Sequence, residues 1–312
     1  MGSAAPALID VLIVGGGPAG LAVATGLARQ PYTAVVFESG VYRNARTNHM
    51  HNVVTWDHRD PADFRAKARA DLWARYDTIR IEDAKIENIR WNGDGRFEAI
   101  DGKGNVWTGK KVALAVGMED VYPDIPGYDD VWARGVYHCL FCDGYEDRGV
   151  ESVGILALGV LGKLQPAVHT ARMAKRLTSS VTIYTDGDAE LESQIRNVLG
   201  EDSVFEMDNR KVTRLEKVKG KASEVIVHVQ DGSKVMHGFM VIDPTSRLTD
   251  PSPRSMELAD TAVIKTSSPW YETSVPGVFA VGDCASPVPA VPNAMSMGAF
   301  AAAGLARQLG AE

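Results

Sequence analysis

The stretch "ALIDVLIVGGGPAGLAVATGLARQPYTAVVFESG", residues 7–40, reads as a single βαβ unit. An apolar run, Leu8 to Val14, meets Gly15-Gly16-Gly17-Pro18-Ala19-Gly20, and an Ala/Leu-rich helical stretch follows. Ala34 to Phe37 then form a second strand that ends in Glu38-Ser39. Gly15, Gly17 and Gly20 supply G-x-G-x-x-G: the first for the tight turn, the second for a pyrophosphate approaching backbone N–H groups, the third for helix-on-strand packing. Pro18 and Ala19 complete the turn. Glu38 lies about 20 residues on, where an acid accepts hydrogen bonds from a ribose hydroxyl. Strand, turn, helix and acid in register predict a dinucleotide site.

The rest of the chain suits that reading. It has 312 residues, 45% hydrophobic and 23% charged, enough for two domains with their own cores. A net charge of −7 gives a nucleic-acid partner no electrostatic support. No apolar run approaches the ~18 residues of a membrane span. The N-terminal residues lead into a first strand rather than a signal peptide. Three cysteines make no disulfide framework, so a cytoplasmic location is the expectation.

At the other end, "SVPGVFAVGDCA", residues 274–285, is a strand running into Gly282-Asp283, and "PNAMSMGAFAAAGLARQL", residues 292–309, is a helix. The pair resembles the second FAD signature of two-dinucleotide flavoprotein reductases. The resemblance implies that Asp283 bonds the ribityl chain and that the helix start, with Ala294 and Met295, faces the flavin, where the helix dipole favours negative charge. "KKVALAVGMEDVYPDIPGYDD", residues 110–130, resembles the strand-turn at which such chains leave the FAD domain, with Gly117 as the turn. FAD is the expected cofactor. The divisions expected are 1–118 and 247–312 for the FAD domain and 119–246 for an inserted module. Proline-rich residues 243–260 read as the return linker.

Inside the insertion, residues 152–188 are a second βαβ candidate. Its turn is Ala157-Leu158-Gly159-Val160-Leu161-Gly162, with alanine for the first glycine. After its second strand stands Thr185-Asp186-Gly187-Asp188 where arginines would grip a 2′-phosphate. A carboxylate there repels phosphate, although Asp186 suits the ribose of NADH. The module is expected to be a scaffold without a nicotinamide.

"VYHCLFCDGYE", residues 136–146, holds two of the three cysteines as a C-x-x-C. Such a pair is half a zinc site, a redox dithiol or two buried thiols. Zinc needs two further ligands that the sequence does not offer at finger spacing, so no metal is expected. Spacing of i,i+3 at a helix start favours a redox dithiol.

FAD signature, central C-x-x-C-Asp-Gly and terminal Gly-Asp, in this order over essentially the whole chain, resemble the low-molecular-weight thioredoxin reductases. The resemblance implies two Rossmann-like, three-layer ββα domains and a homodimer. It also implies that Cys142 faces the flavin as charge-transfer thiolate, Cys139 exchanges with substrate and Asp143 handles protons. Leu140-Phe141 between the cysteines and His138 before them are more similar to the thioredoxin-reductase-like dithiol oxidases. Those enzymes close disulfides in sulfur metabolites of the gliotoxin and holomycin type. The phrase "GYDDVWARGVYHCLFCDGYEDRG" looks most like the fungal, epidithiodiketopiperazine branch, although Asp143 stands where members closest to gliotoxin oxidase carry histidine. The activity implied is oxidation of a small dithiol, with O2 as acceptor and H2O2 as product. His51 and Asp143 are the preferred proton carriers, with His138 and His49 as further candidates; His49 and His51 share a side if "NARTNHMHNVV", residues 44–54, is extended. The alternatives are an NAD(P)H-dependent thioredoxin or disulfide reductase, and a flavin-bound redox sensor or binding protein without turnover.

Overall fold

The computed structural model of the chain describes residues 8–248, 257–259 and 262–312. Residues 249–256 and 260 of the expected return linker therefore lie outside the described residues. The chain divides into two compact units. One takes the described residues up to His49, then Val53–Glu119 and Arg247–Glu312; the other takes Met50–Asn52 and Asp120–Ser246.

The first unit opens, with elements numbered along the chain, on β1 (Ile9–Val14), α1 (Pro18–Ala28) and β2 (Ala34–Phe37). Next come α2 (Pro61–Arg75), β3 (Ile79–Glu82), β4 (Ile86–Trp91), β5 (Phe97–Asp101) and β6 (Val106–Leu114). After the insertion it closes with β17 (Val278–Ala280) and α6 (Val291–Leu309). β3, β2, β1, β6 and β17 are parallel neighbours, and β4 and β5 run antiparallel on from β6. β1, β2 and β17 are almost wholly apolar because both faces of the sheet are covered. Val11, Ile13 and Val36 join a helix-side core with Leu21, Leu27 and Leu305. Leu12, Val14 and Phe37 point the other way, into a core with Ile86, Ile89 and Phe97. Small residues bring α1 and α6 together: a Cβ at Gly298 would lie 2.4 Å from the Ala19 carbonyl oxygen.

The second unit repeats the plan. Its elements are β7 (Glu119–Val121, at the boundary), α3 (Tyr128–Val131), β8 (Val136–Tyr137), β9 (Val150–Leu156), α4 (Leu164–Ala174), β10 (Thr178–Tyr184), α5 (Ala189–Leu199) and β11 (Phe205–Asp208). They continue with β12 (Val212–Lys217), β13 (Val225–Val229), β14 (Lys234–His237), β15 (Phe239–Val241) and β16 (Thr245–Arg247). A parallel sheet in the order β11-β10-β9-β15-β8 lies against an antiparallel meander β12-β13-β14. Ile155, Ile183 and Val241 pack on α4 and α5 through Ala171 and Ile195. Leu156, Tyr184 and Met240 pack on meander residues Leu215, Val225 and Val227. Each unit is a Rossmann-like, three-layer ββα domain.

Candidate active site

In the first unit the turn after β1 is a cradle. Gly15 has φ +113°, and a Cβ there would lie 2.2 Å from the Ala115 carbonyl oxygen. Gly20 is equally closed, at 1.9 Å from the Gly15 carbonyl oxygen. Gly17 differs: it N-caps α1 in extended conformation, and nothing lies within 4 Å of a Cβ built on it. The opening therefore sits where the first helical amides have no intrahelical partner. Pro18 takes the first helical position, where a missing N–H costs nothing. Glu38 stands at the rim, its Oε1 accepting from the Gly40 N–H at 2.8 Å and its Oε2 3.3 Å from Arg69 Nη1. Ser39 Oγ accepts from the Val41 N–H.

The remaining cofactor candidates belong to the same unit. Gly117 and Gly282 both turn with positive φ, +70° and +76°. Asp283, in the short 3-10 turn Gly282–Ala285, pairs with Arg43 at 3.0 Å. Ala294 is buried in the first turns of α6, whereas Met295 is half-exposed and Met297 lies in the helix-side core. An open cradle of amides, an acid at the end of β2 and a second acid before a helix N-terminus fit the pyrophosphate, ribose and ribityl chain of FAD.

In the second unit, β8 delivers the chain to the cysteines. Cys139 and Cys142 form a disulfide with Cα atoms 5.2 Å apart. The expected helix start is absent. The N–H groups of Cys142 and Asp143 both donate to the Cys139 carbonyl, at 3.1 and 3.0 Å, and the turn goes no further. Gly144, at φ +103°, redirects the chain between Leu140, Leu177 and Phe239. Among the described residues no helix starts at these sulfurs. Asp143, next to Cys142 in the chain, is pushed up to about 6 chiefly by burial, with Glu146 and Asp147 adding to the rise and His51 opposing it. Phe141 and Tyr145 project outward, 71% and 62% exposed, leaving an aromatic rim on the turn.

Asp143 is thus poised to change charge near neutrality, which a general acid–base requires. Asp143→Asn is expected to lower turnover about a hundredfold and to remove an inflection near pH 6 from the pH–rate profile. Initial rates across that range check this; an unchanged inflection would reassign the proton carrier.

The sequence-derived candidates separate. His51 belongs to the dithiol's unit, with Nε2 3.6 Å from Glu146 Oε1. His138 is half-buried, its ring 5.7 Å from that of Trp132. His49 is exposed in the first unit and stacks on His58 at 4.5 Å. Asn52 was missed by sequence reading. Its Nδ2 donates to the Phe141 carbonyl at 2.6 Å, a contact 89 residues apart in sequence with no local pattern to announce it.

The turn after β9 contrasts with that after β1. Ala157 is buried and its N–H donates to the Tyr184 carbonyl. The Val160 N–H is engaged by the Asp243 carbonyl at 3.0 Å, the Leu161 N–H by Leu158, and the Leu161 side chain is buried. A Cβ at Gly159 would lie 2.5 Å from the same Asp243 oxygen. Asp186, at φ +52°, accepts from the Val212 N–H at 2.7 Å and so organises the start of the meander.

Known proteins share this architecture. The chain is 46% identical over 310 residues to Thioredoxin reductase aclD of Aspergillus oryzae, covering 98% of each. It is 40% identical to Thioredoxin reductase tcpT of Claviceps purpurea, over 93% of this chain and 91% of that one. The solved thioredoxin reductase from Streptococcus pyogenes superposes with a TM-score of 0.84 at 21% identity, over 99% of this chain and all of that one, and so shares its fold. The described residues contain no helix long and apolar enough to cross a membrane. A match over residues 9–298 places this oxidoreductase in the family of pyridine nucleotide-disulphide oxidoreductases.

Proposed function

We propose that the protein oxidises a small-molecule dithiol to an intramolecular disulfide, with FAD as cofactor and dioxygen as final acceptor. The observation that carries the reading is the contrast between two turns. The one after β1 is open at Gly17, whereas the one after β9 has its Val160 and Leu161 amides engaged and Asp186 tied to Val212. The first suits a dinucleotide; the second offers a nicotinamide cofactor little. Electrons then have to come from the substrate.

A substrate thiolate attacks the Cys139 sulfur, breaking the Cys139–Cys142 bond and forming a mixed disulfide. The second substrate thiolate attacks its partner sulfur, closes the product disulfide and releases Cys139. Two electrons pass to the protein, and the two thiol protons are taken up around Asp143 and His51. Glu38, Asp283 and the Gly15–Gly20 cradle would hold FAD. Bound there, FAD would supply the two-electron chemistry that links the reduced Cys139–Cys142 pair to O2, with H2O2 as product and the cysteines returned to the disulfide. The aromatic rim of Phe141 and Tyr145 supports a compact, partly apolar substrate, in keeping with a resemblance to the epidithiodiketopiperazine branch. A homodimer, implied by that resemblance, belongs to the same proposal and is read from light scattering after gel filtration.

The fungal relatives are named thioredoxin reductases, which favours an NAD(P)H-dependent disulfide reductase as the second reading. Peroxide release on adding a small dithiol in air, with no NADPH or NADH, tests the choice. Stoichiometric H2O2 supports the oxidase; NAD(P)H consumption with a disulfide substrate and no peroxide supports the reductase.

A further inference from the structure

Once the disulfide opens, the redox turn loses its covalent closure. What then holds Asp143 beside two thiols? The Asp147 carboxylate has both oxygens engaged. Oδ2 accepts from the Tyr137 hydroxyl at 3.0 Å, and Oδ1 accepts from the Ser223 hydroxyl at 2.6 Å. Tyr137 ends β8, two residues before Cys139, and Ser223 is a buried residue of the β12–β13 hairpin. The hairpin is itself docked there: a Cβ at Gly135, φ +132°, would lie 2.1 Å from the Ser223 carbonyl oxygen. Asp147 therefore ties the far end of the redox excursion both to its beginning and to a rigid neighbour.

We propose that Asp147 is the positioning residue of the redox turn: by gripping Tyr137 and Ser223 it fixes both ends of residues 138–146 and keeps Asp143 in place beside the opened dithiol. Hydrogen bonds to an ionised acceptor are the strong ones, and two of them from different elements define an orientation as well as a distance. The charged groups around the turn act on Asp143 in opposite senses. Asp147 and Glu146 raise Asp143, His51 opposes them, and Lys217 of β12 feels Asp147 and Glu224. Burial and Asp147 together also keep the Tyr137 hydroxyl protonated, hence a donor. The inference rests on the dithiol reading of Cys139–Cys142, and the electron acceptor plays no part in it.

The test is alkylation of the reduced holoprotein by iodoacetamide, followed by mass spectrometry at Cys139 between about pH 4.5 and 8, without oxygen or substrate. The parent is expected to show an inflection near pH 6 from Asp143. Asp147→Asn removes a charge that raises Asp143, so its inflection moves to lower pH. The double variant Tyr137→Phe/Ser223→Ala keeps the charge and removes both grips. It is expected to alkylate about tenfold faster through a loosened turn. A merely structural grip would lower the thermal stability of the double variant and leave its Cys139 alkylation at the parent rate. Parent-like inflection in Asp147→Asn, or parent-like rates in the double variant, overturns the inference; if Asp147→Asn does not fold, the double variant decides alone. A pair that resists alkylation altogether after reduction would instead sink the dithiol reading.

Discussion

Replacing Cys142 with serine is expected to leave a folded, flavin-binding protein whose dithiol turnover falls at least about a thousandfold. The loss is large because, on the proposed route, the substrate's electrons enter through the Cys139–Cys142 disulfide, which serine cannot re-form. Cys139 alone remains at the turn, still held by backbone hydrogen bonds from residues 142 and 143 to its carbonyl. It should then trap a small aromatic disulfide as a stable mixed disulfide, visible by mass, because no neighbouring thiol resolves it. Cys139→Ser should lose turnover equally and trap nothing at position 139. Near-parent turnover in Cys142→Ser would mean that electrons bypass the pair.

The second large effect concerns the cradle and separates folding from cofactor binding. Gly17→Ala places a methyl group in open space, on a backbone of φ −78° that alanine adopts freely. The variant should fold with a melting temperature close to the parent's, yet bind FAD at least about a hundredfold more weakly, because the methyl occupies the approach to the α1 amides. Gly15→Ala meets a carbonyl oxygen at 2.2 Å from a left-handed backbone, and such strain costs several kcal/mol. It should fail to fold rather than merely lose colour. Flavin absorbance after gel filtration and a thermal melt distinguish the two. A Gly17→Ala protein that keeps its FAD would move the cofactor site elsewhere.

Much of this was legible because parallel Rossmann units write themselves locally. In residues 7–40 the apolar strand, the glycine turn and the acid appear in the order in which they fold, and β2 covers Ala34–Phe37 as expected. β9 and β10 begin at Val150 and Thr178, ahead of their fully buried residues, because strand pairing carries hydrogen bonding into polar residues. The C-x-x-C was legible as chemistry but misplaced on a helix. Its spacing allows a helical turn, and the decision to stop there lies with Gly144, whose positive φ the spacing does not record.

The surroundings of the dithiol were harder to read. Asn52 and Ser223 reach the turn from 89 and 76 residues away, and Met50–Asn52 joins a unit other than that of its chain neighbours. No periodicity marks such contacts. Asp147 lies in plain view in "GYEDRG", yet only its two partners show that its carboxylate is a brace rather than a solvated charge.

Anaerobic stopped-flow on the FAD-loaded protein tests the central claim most directly, with flavin absorbance followed after separate additions of a small dithiol, NADPH and NADH. Bleaching by the dithiol alone is expected, then recovery with an equivalent of H2O2 when air is admitted. Rapid bleaching by NADPH or NADH, with none by the dithiol, would contradict it and make the protein a pyridine-nucleotide-dependent disulfide reductase.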